Sequence, residues 1–202
     1  QESAPKNSSE KVRLAKNARI KATYHATRVR RAKMNCFTRK MKVDRSHLSK
    51  RQEEAIKRLF LESKWLANSC IASERFDRSY IKELGGKVQV KAPAGMEERE
   101  FLVLGGQLAQ SVLDGLRSNL KALSKLKSKG KKVGRLRYRK QVTMVNFPQY
   151  GNSHKIDREK NRVKLANIPG WMRVRGLEQL PENAEFANCK LLDKPDGLFI
   201  VI

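Results

Sequence analysis

The sequence predicts a mixed α+β fold, a small antiparallel barrel with helices inserted after its first strand and a basic arm in front. Three observations predict it. Two segments, opening near Ser49 and near Glu97, repeat apolar residues at three- and four-residue steps, as amphipathic helices do. Beyond Gly130 the chain breaks into short alternating runs separated by Gly and Pro, the spacing of a small barrel. One strand-like run, Cys36 to Asp44, stands before the helices, and its most economical partners lie in that later barrel.

The elements follow in order. Residues 1–35 hold ten Lys or Arg and two Glu, with few large apolar groups. Ser8, Ser9 and Glu10 can open a helix here, but its apolar side is thin: Val12, Leu14, Ile20 and Val29. Such a composition suits a basic arm that orders on a polyanion, or a solvated tail. In CFTRKMKVD, Cys36, Thr38, Lys40 and Lys42 alternate with Phe37, Arg39, Met41 and Val43, a strand pattern over residues 36–46.

Ser49 then takes the N-cap of a helix, with Gln52 at the capping-box position three residues on. Ile56, Leu59, Phe60, Ala67 and Ile71 form its buried face, widened by Trp65 and Leu66. Gly85 and Gly86 break the pattern, and KVQVKAPAG reads as a short strand or hairpin arm. The acidic cluster Glu97–Glu100 reads as the first turn of the next helix, where carboxylates complement the dipole. That helix carries the strongest periodicity of the chain: Phe101, Leu104, Leu108, Val112, Leu116, Leu120 and Leu123. Its end is basic and stops at Gly130, so residues 47–130 form the helical insertion. Residues 131–202 read as strands: VGRLRYRK, VTMVNF, HKID, RVKLANI, WMRVRGL, AEFANCKLL and GLFIVI.

Charge decides the class of partner. The chain has 45 Lys+Arg against 20 Asp+Glu, a formal net charge of +25, which points to a polyanion and above all to nucleic acid. Between Asp114 and Asp157 stand twelve Lys or Arg and no acid. No run approaches the roughly 18 apolar residues of a transmembrane helix, and the first 35 residues lack the apolar core of a signal peptide, so no membrane partner is expected. Cys36, Cys70 and Cys189 are far apart and outside any C-x-x-C pair, which predicts reduced thiols and no zinc site in this segment. The chain opens on Gln and stops on the apolar run GLFIVI, and is expected to be a fragment of a longer protein.

Half of the acid-free window alternates. As a strand, GRLRYRK would set Arg135, Arg137 and Arg139 on one face, about 6.7 Å apart, over a back of Leu136 and Tyr138. Guanidinium forks take phosphates bidentately, giving affinity and register without sequence choice. WMRVRG repeats the device with Trp171, Arg173 and Arg175 against Met172 and Val174, and RVKLANI with Arg162 and Lys164. Lys121, Lys125, Lys127, Lys129, Lys131, Lys132 and Lys140 complete the candidate RNA- or DNA-backbone contacts. His25, His47 and His154 are isolated, no nucleophile or phosphate-loop motif occurs, and no set of converging carboxylates can be assembled. This segment reads as a binder, with no catalytic residue and no metal ligand of its own.

The residues carry a resemblance. LSKRQEEAIKRLFLESKWLANSCI resembles the first recognition-lobe helix of compact RNA-guided nucleases, the TnpB proteins and the small type V CRISPR effectors. GGQLAQSVLDGLRSNLKALSKLKSKGKKVGRLRYRK resembles the next landmark there, a Q-x-x-Q helix running into a basic strand, and NIPGWMRVRGLEQLP and CKLLDKPDGLFIVI resemble the strands before the RuvC nuclease domain. The likeness covers roughly residues 36–202. It implies an oligonucleotide-binding-like wedge barrel (36–46 and 131–202) with an α-helical recognition lobe (47–130) inserted.

It further implies antiviral defence in a prokaryotic cytoplasm or nucleoid, with guide RNA, double-stranded target DNA and the RNA–DNA heteroduplex as partners. The protein then reads the motif beside the target while base pairing reads the sequence. Gln107 and Gln110, at the Q-x-x-Q match, become candidates for reading that motif, or are polar residues on the outer helix face; Gln141 and Thr143 are weaker candidates. Tyr138, Tyr150 and Trp171 either stack on bases or, for Tyr138 and Trp171, pack in the core. Catalytic carboxylates, their Mg2+ and a zinc finger would follow residue 202, so whether the parent cleaves DNA stays open. A stand-alone RNA-binding protein of the ribosomal kind and a non-cleaving RNA-guided repressor are the alternatives.

Overall fold

The computed structural model describes residues 6–202; residues 1–5 of the basic arm lie outside the described residues. The chain divides into two compact units, Gln1–Thr38 and Arg39–Ile202.

The first unit is one long helix, α1 (Lys6–Ala32), which starts before the Ser8–Glu10 opening expected from sequence. It is rich in Ala, Lys and Arg and contains neither Gly nor Pro, so propensity alone favours it. From Ser9 to Ala32 its side chains are exposed, Thr27 alone being half-buried, as the thin apolar side implies.

The second unit is mixed α+β with antiparallel sheets. Strand β1 (Lys40–Lys42) opens it. The helices α2 (Lys50–Ala72), α3 (Arg78–Glu83) and α4 (Gly106–Ser128) follow, with the hairpin β2 (Lys87–Ala92) and β3 (Gly95–Glu100) between the last two. Six strands complete it: β4 (Met144–Phe147), β5 (His154–Asp157), β6 (Arg162–Leu165), β7 (Met172–Arg173), β8 (Cys189–Lys194) and β9 (Gly197–Val201).

One sheet runs β1-β9-β8-β4 and another β5-β6-β7. β1 pairs with β9, Lys40 opposite Val201 and Lys42 opposite Phe199, so the helices lie in sequence between two strands of one sheet. The strand expected from Cys36 is shorter than predicted, because its backbone bonding stops at Arg39, which exchanges hydrogen bonds with Ile202. Beyond β1, Val43 bridges Val174, and this contact joins the two sheets edge to edge. No sheet closes on itself, so two bridged open sheets stand where the sequence predicted one barrel. AEFANCKLL becomes a strand only from Cys189.

A single apolar cluster joins helices and sheets, with Leu59, Leu66, Leu108, Leu113 and Leu116 from the helices and Phe147, Val163, Met172, Leu191 and Ile200 from the strands. At the start of α2, Ser49 Oγ accepts from the Gln52 N–H at 3.2 Å and Gln52 Oε1 accepts from the Ser49 N–H at 2.9 Å, a complete capping box. The same Gln52 amide donates to Pro169 O and Trp171 O, at 2.9 and 3.1 Å, pinning α2 to the approach of β7.

Glu97–Glu100 are not a helical turn. They lie in β3, paired with β2 through a tight turn at Pro93–Ala94, and Gly95 takes φ +133° there. Cross-strand charge favours this: Lys87 pairs with Glu98 at 2.8 Å. α4 accordingly begins only at Gly106, and Phe101 and Leu104 sit in the loop before it. That loop is held by Glu62 of α2. The fully buried Glu62 carboxylate accepts the N–H groups of Leu102, Val103 and Leu104, at 2.8, 3.0 and 2.7 Å, and the Arg58 guanidinium at 2.6 Å. Helix α3, absent from the sequence reading, is too short for periodicity to show; its cap is Asp77, which accepts from the Tyr80 N–H at 2.9 Å.

Candidate nucleic-acid interface

The far half of α4 emerges from the core after Leu116, its last buried residue. Leu120 and Leu123 are half-buried, while Lys121, Lys125 and Lys127 are exposed. Lys129 caps the helix, Gly130 turns the chain at φ +71°, and Lys131 and Lys132 follow, exposed.

The alternating tract after them is not a strand. Residues 131–139 have no ladder partner among the described residues; the Lys131 N–H bonds Leu126 O at the end of α4, and farther on a side chain holds the backbone at Arg139. Asn68 of α2 accepts the Arg139 N–H through Oδ1 at 2.7 Å and donates to Arg139 O through Nδ2 at 3.0 Å, as a neighbouring strand would.

The expected three-toothed comb is therefore modified. Arg135, Arg137 and Lys140 are exposed, but Arg139 is half-buried, and desolvation lowers its pKa. Leu136 packs on the core as expected. Tyr138 does not: it is 63% exposed, so of its two readings the core one is excluded.

The nine cations Lys121, Lys125, Lys127, Lys129, Lys131, Lys132, Arg135, Arg137 and Lys140 have no ion-pair partner among the described residues. Asp114, the nearest acid on α4, pairs with Arg117 at 3.6 Å. A run of exposed, unneutralised cations on adjoining segments is an electrostatic footprint for phosphates.

β6 and β7 keep the alternation. Val163, Leu165, Met172 and Val174 are buried, while Lys164, Arg173 and Arg175 are exposed and Arg162 and Trp171 half-buried. Several of these cations are already engaged. Arg162 bonds Asp157 at 2.8 Å and lies over the Trp171 ring at 4.7 Å; Arg175 bonds Asp44 at 3.2 Å; Arg173 sits 3.2 Å from His47. Asp44 also accepts from Ser46, and these bonds hold its carboxyl well below the usual range. Trp171 is thus a platform covered by an arginine, while Lys164 and its cross-strand neighbour Lys155 have no ion-pair partner among the described residues.

Gln107 and Gln110 sit in the first turns of α4, both half-buried. Gln107 Nε2 donates to Gln149 Oε1 at 3.0 Å, in the loop after β4, where Tyr150 packs edge-on to His154 and against Phe186 at ring distances of 5.5 and 5.2 Å. Gln141 and Thr143 are exposed on the approach to β4.

Sequence reasoning missed Asn68, Gln149 and the tertiary half of the role of Gln52. Each acts across a long sequence separation, and only the capping-box spacing of Gln52 left a local trace. The three cysteines are free thiols; burial pushes Cys70 up to about 11 and Cys189 up to about 12. Among the described residues no group of three or more His, Cys, Asp or Glu could hold a metal ion, and no helix is long and apolar enough to cross a membrane. No family model matches the chain, and no curated protein matches it.

Proposed function

We propose that the chain is the guide-RNA-binding and target-docking part of an RNA-guided DNA nuclease of the TnpB and compact type V class. The observation that carries the nucleic-acid half of this reading is the run of unpaired cations from Lys121 to Lys140. Sequence-independent phosphate contact is what such a surface provides, and its affinity falls steeply with salt.

The guide-RNA half rests on the motif order described above. It is supported by the placement of the helices between β1 and β9, as a lobe inserted after the first wedge strand would require. In this reading the two bridged open sheets take the place of that family's oligonucleotide-binding-like wedge, and α2–α4 that of its recognition lobe. Gln107 and Gln110 then sit near the adjacent-motif duplex, with Gln149 setting the Gln107 amide. Arg135, Arg137 and the α4 lysines grip the RNA backbone.

The test is to purify the chain with its native flanking locus expressed and to sequence the RNA that accompanies it. One structured RNA joined to locus-derived guide sequence is the expected result. Ribosomal or heterogeneous RNA overturns the guided reading in favour of a structural RNA-binding protein, and the absence of RNA overturns both.

A further inference from the structure

The segment 133–138 crosses the far half of α4 without sealing against it. It leaves an open cleft of about 710 Å3 between the C-terminal end of α2, the turn before α3, α4 and the segment itself. A second opening of about 410 Å3 shares Leu123, Gly134, Arg135 and Leu136 with it. The larger volume falls within the roughly 300–1,000 Å3 typical of ligand pockets. Its floor is apolar, formed by Ile71, Phe76, Leu120, Leu123 and Leu136, and the exposed Tyr138 ring stands at its edge.

Polar groups on its wall are few and of contrasting charge. Lys127 and Arg135 line it as free cations. Glu74 is the one carboxylate among the lining residues; it sits in the left-handed region at φ 52°, and its side chain has no bonded partner among the described residues. Gly134 lines both openings. Its φ is not positive, and a Cβ built on it meets nothing within 4 Å, so neither backbone strain nor crowding requires glycine there.

We infer that this cleft accepts one unstacked nucleobase of a single-stranded polynucleotide, whose flanking phosphates lie on Lys127 and Arg135. The inference rests on the nucleic-acid reading above and adds to it a site for a base. An apolar floor with an aromatic edge suits the face of a base, which a duplex would keep stacked and out of reach. The cationic rim, set in an acid-free tract, favours the phosphodiester chain over an uncharged ligand. Glu74 offers an acceptor to a base amino group, as carboxylates do to cytosine N4.

The experiment titrates the 202-residue chain, over a series of salt concentrations, with labelled oligocytidylate and with an abasic ribose-phosphate strand of the same length. The base-bearing strand is expected to bind about tenfold more tightly, from one stacked base. Gly134→Leu, which sets a branched side chain among the lining residues, and Tyr138→Ala, which removes the aromatic edge, should each bring the two affinities together. Both should leave the melting temperature and the salt dependence near those of the unmodified chain. Equal affinity of the unmodified chain for the two strands overturns the cleft and leaves the nucleic-acid reading intact; so does a difference that survives both substitutions. Failure to bind either strand overturns both.

Discussion

The side-chain amide of Asn68 grips both polar groups of the Arg139 main chain, accepting its N–H at 2.7 Å and donating to its carbonyl at 3.0 Å. One residue of α2 thus replaces the sheet partner that the basic tract lacks. It fixes where the tract leaves the core on its way to β4, and so where the free cations ahead of it are displayed.

Asn68→Ala removes both bonds together. A net hydrogen bond contributes about 0.5–1.5 kcal/mol, so the expected loss of stability is about 1–3 kcal/mol in urea unfolding. Amide exchange at Arg139 should accelerate. Asn68→Asp keeps an acceptor for the Arg139 N–H but loses the donor, and is expected to fall between the two. A variant as stable as the unmodified chain would show that the clamp contributes nothing.

Arg135 and Arg137 are exposed, whereas Arg139 is half-buried, so the tract offers two phosphate contacts where the sequence suggested three. Arg135→Ala with Arg137→Ala should flatten the plot of log affinity against log salt by about 1.4–1.8, at roughly 0.7–0.9 per contact. Arg139→Ala should leave that slope nearly unchanged. Fluorescence anisotropy over a salt series distinguishes the two.

Glu62 is fully buried and carries three backbone N–H groups of the loop before α4. Glu62→Ala orphans those donors and takes the carboxylate from Arg58, which keeps its bond to Glu100 O. The expected cost is about 3–5 kcal/mol, the range for breaking a buried charge network. Glu62→Gln keeps one oxygen acceptor and should lose less. Urea midpoints order the three proteins.

His154 is buried, with Nε2 unpartnered, and desolvation pushes its pKa down to about 4. In the unfolded chain the imidazole titrates near 6.5, so between pH 6.5 and 4 the unfolded state binds more protons. The stability associated with the neutral ring is therefore complete above pH 6.5 and is lost as pH falls towards 4, by up to about 3 kcal/mol. His154→Phe should flatten this part of the stability curve. Melting temperatures across pH 4–7 give the answer.

Much of the fold was legible because it is decided over a few residues. The Ser49–Gln52 capping box and the apolar faces of α2 and α4 depend on hydrogen bonds and spacings within one or two helical turns. The same holds for the inward Val163, Leu165, Met172 and Val174, whose two-residue period is a property of any extended chain. The excess of cations over acids was equally open to reading, since charge is a matter of composition.

The tertiary structure decided what depends on a partner. GRLRYRK has the alternation of a strand, but with no strand beside it the backbone is held by Asn68 instead and Tyr138 turns outward. Glu97–Glu100 suit a helix N-terminus by charge, yet β2 lies opposite and its cross-strand Lys87 makes them a strand. Sequence fixes the pattern a segment can bury, while hydrogen-bond partners come from residues far along the chain, and only packing settles which of them arrive.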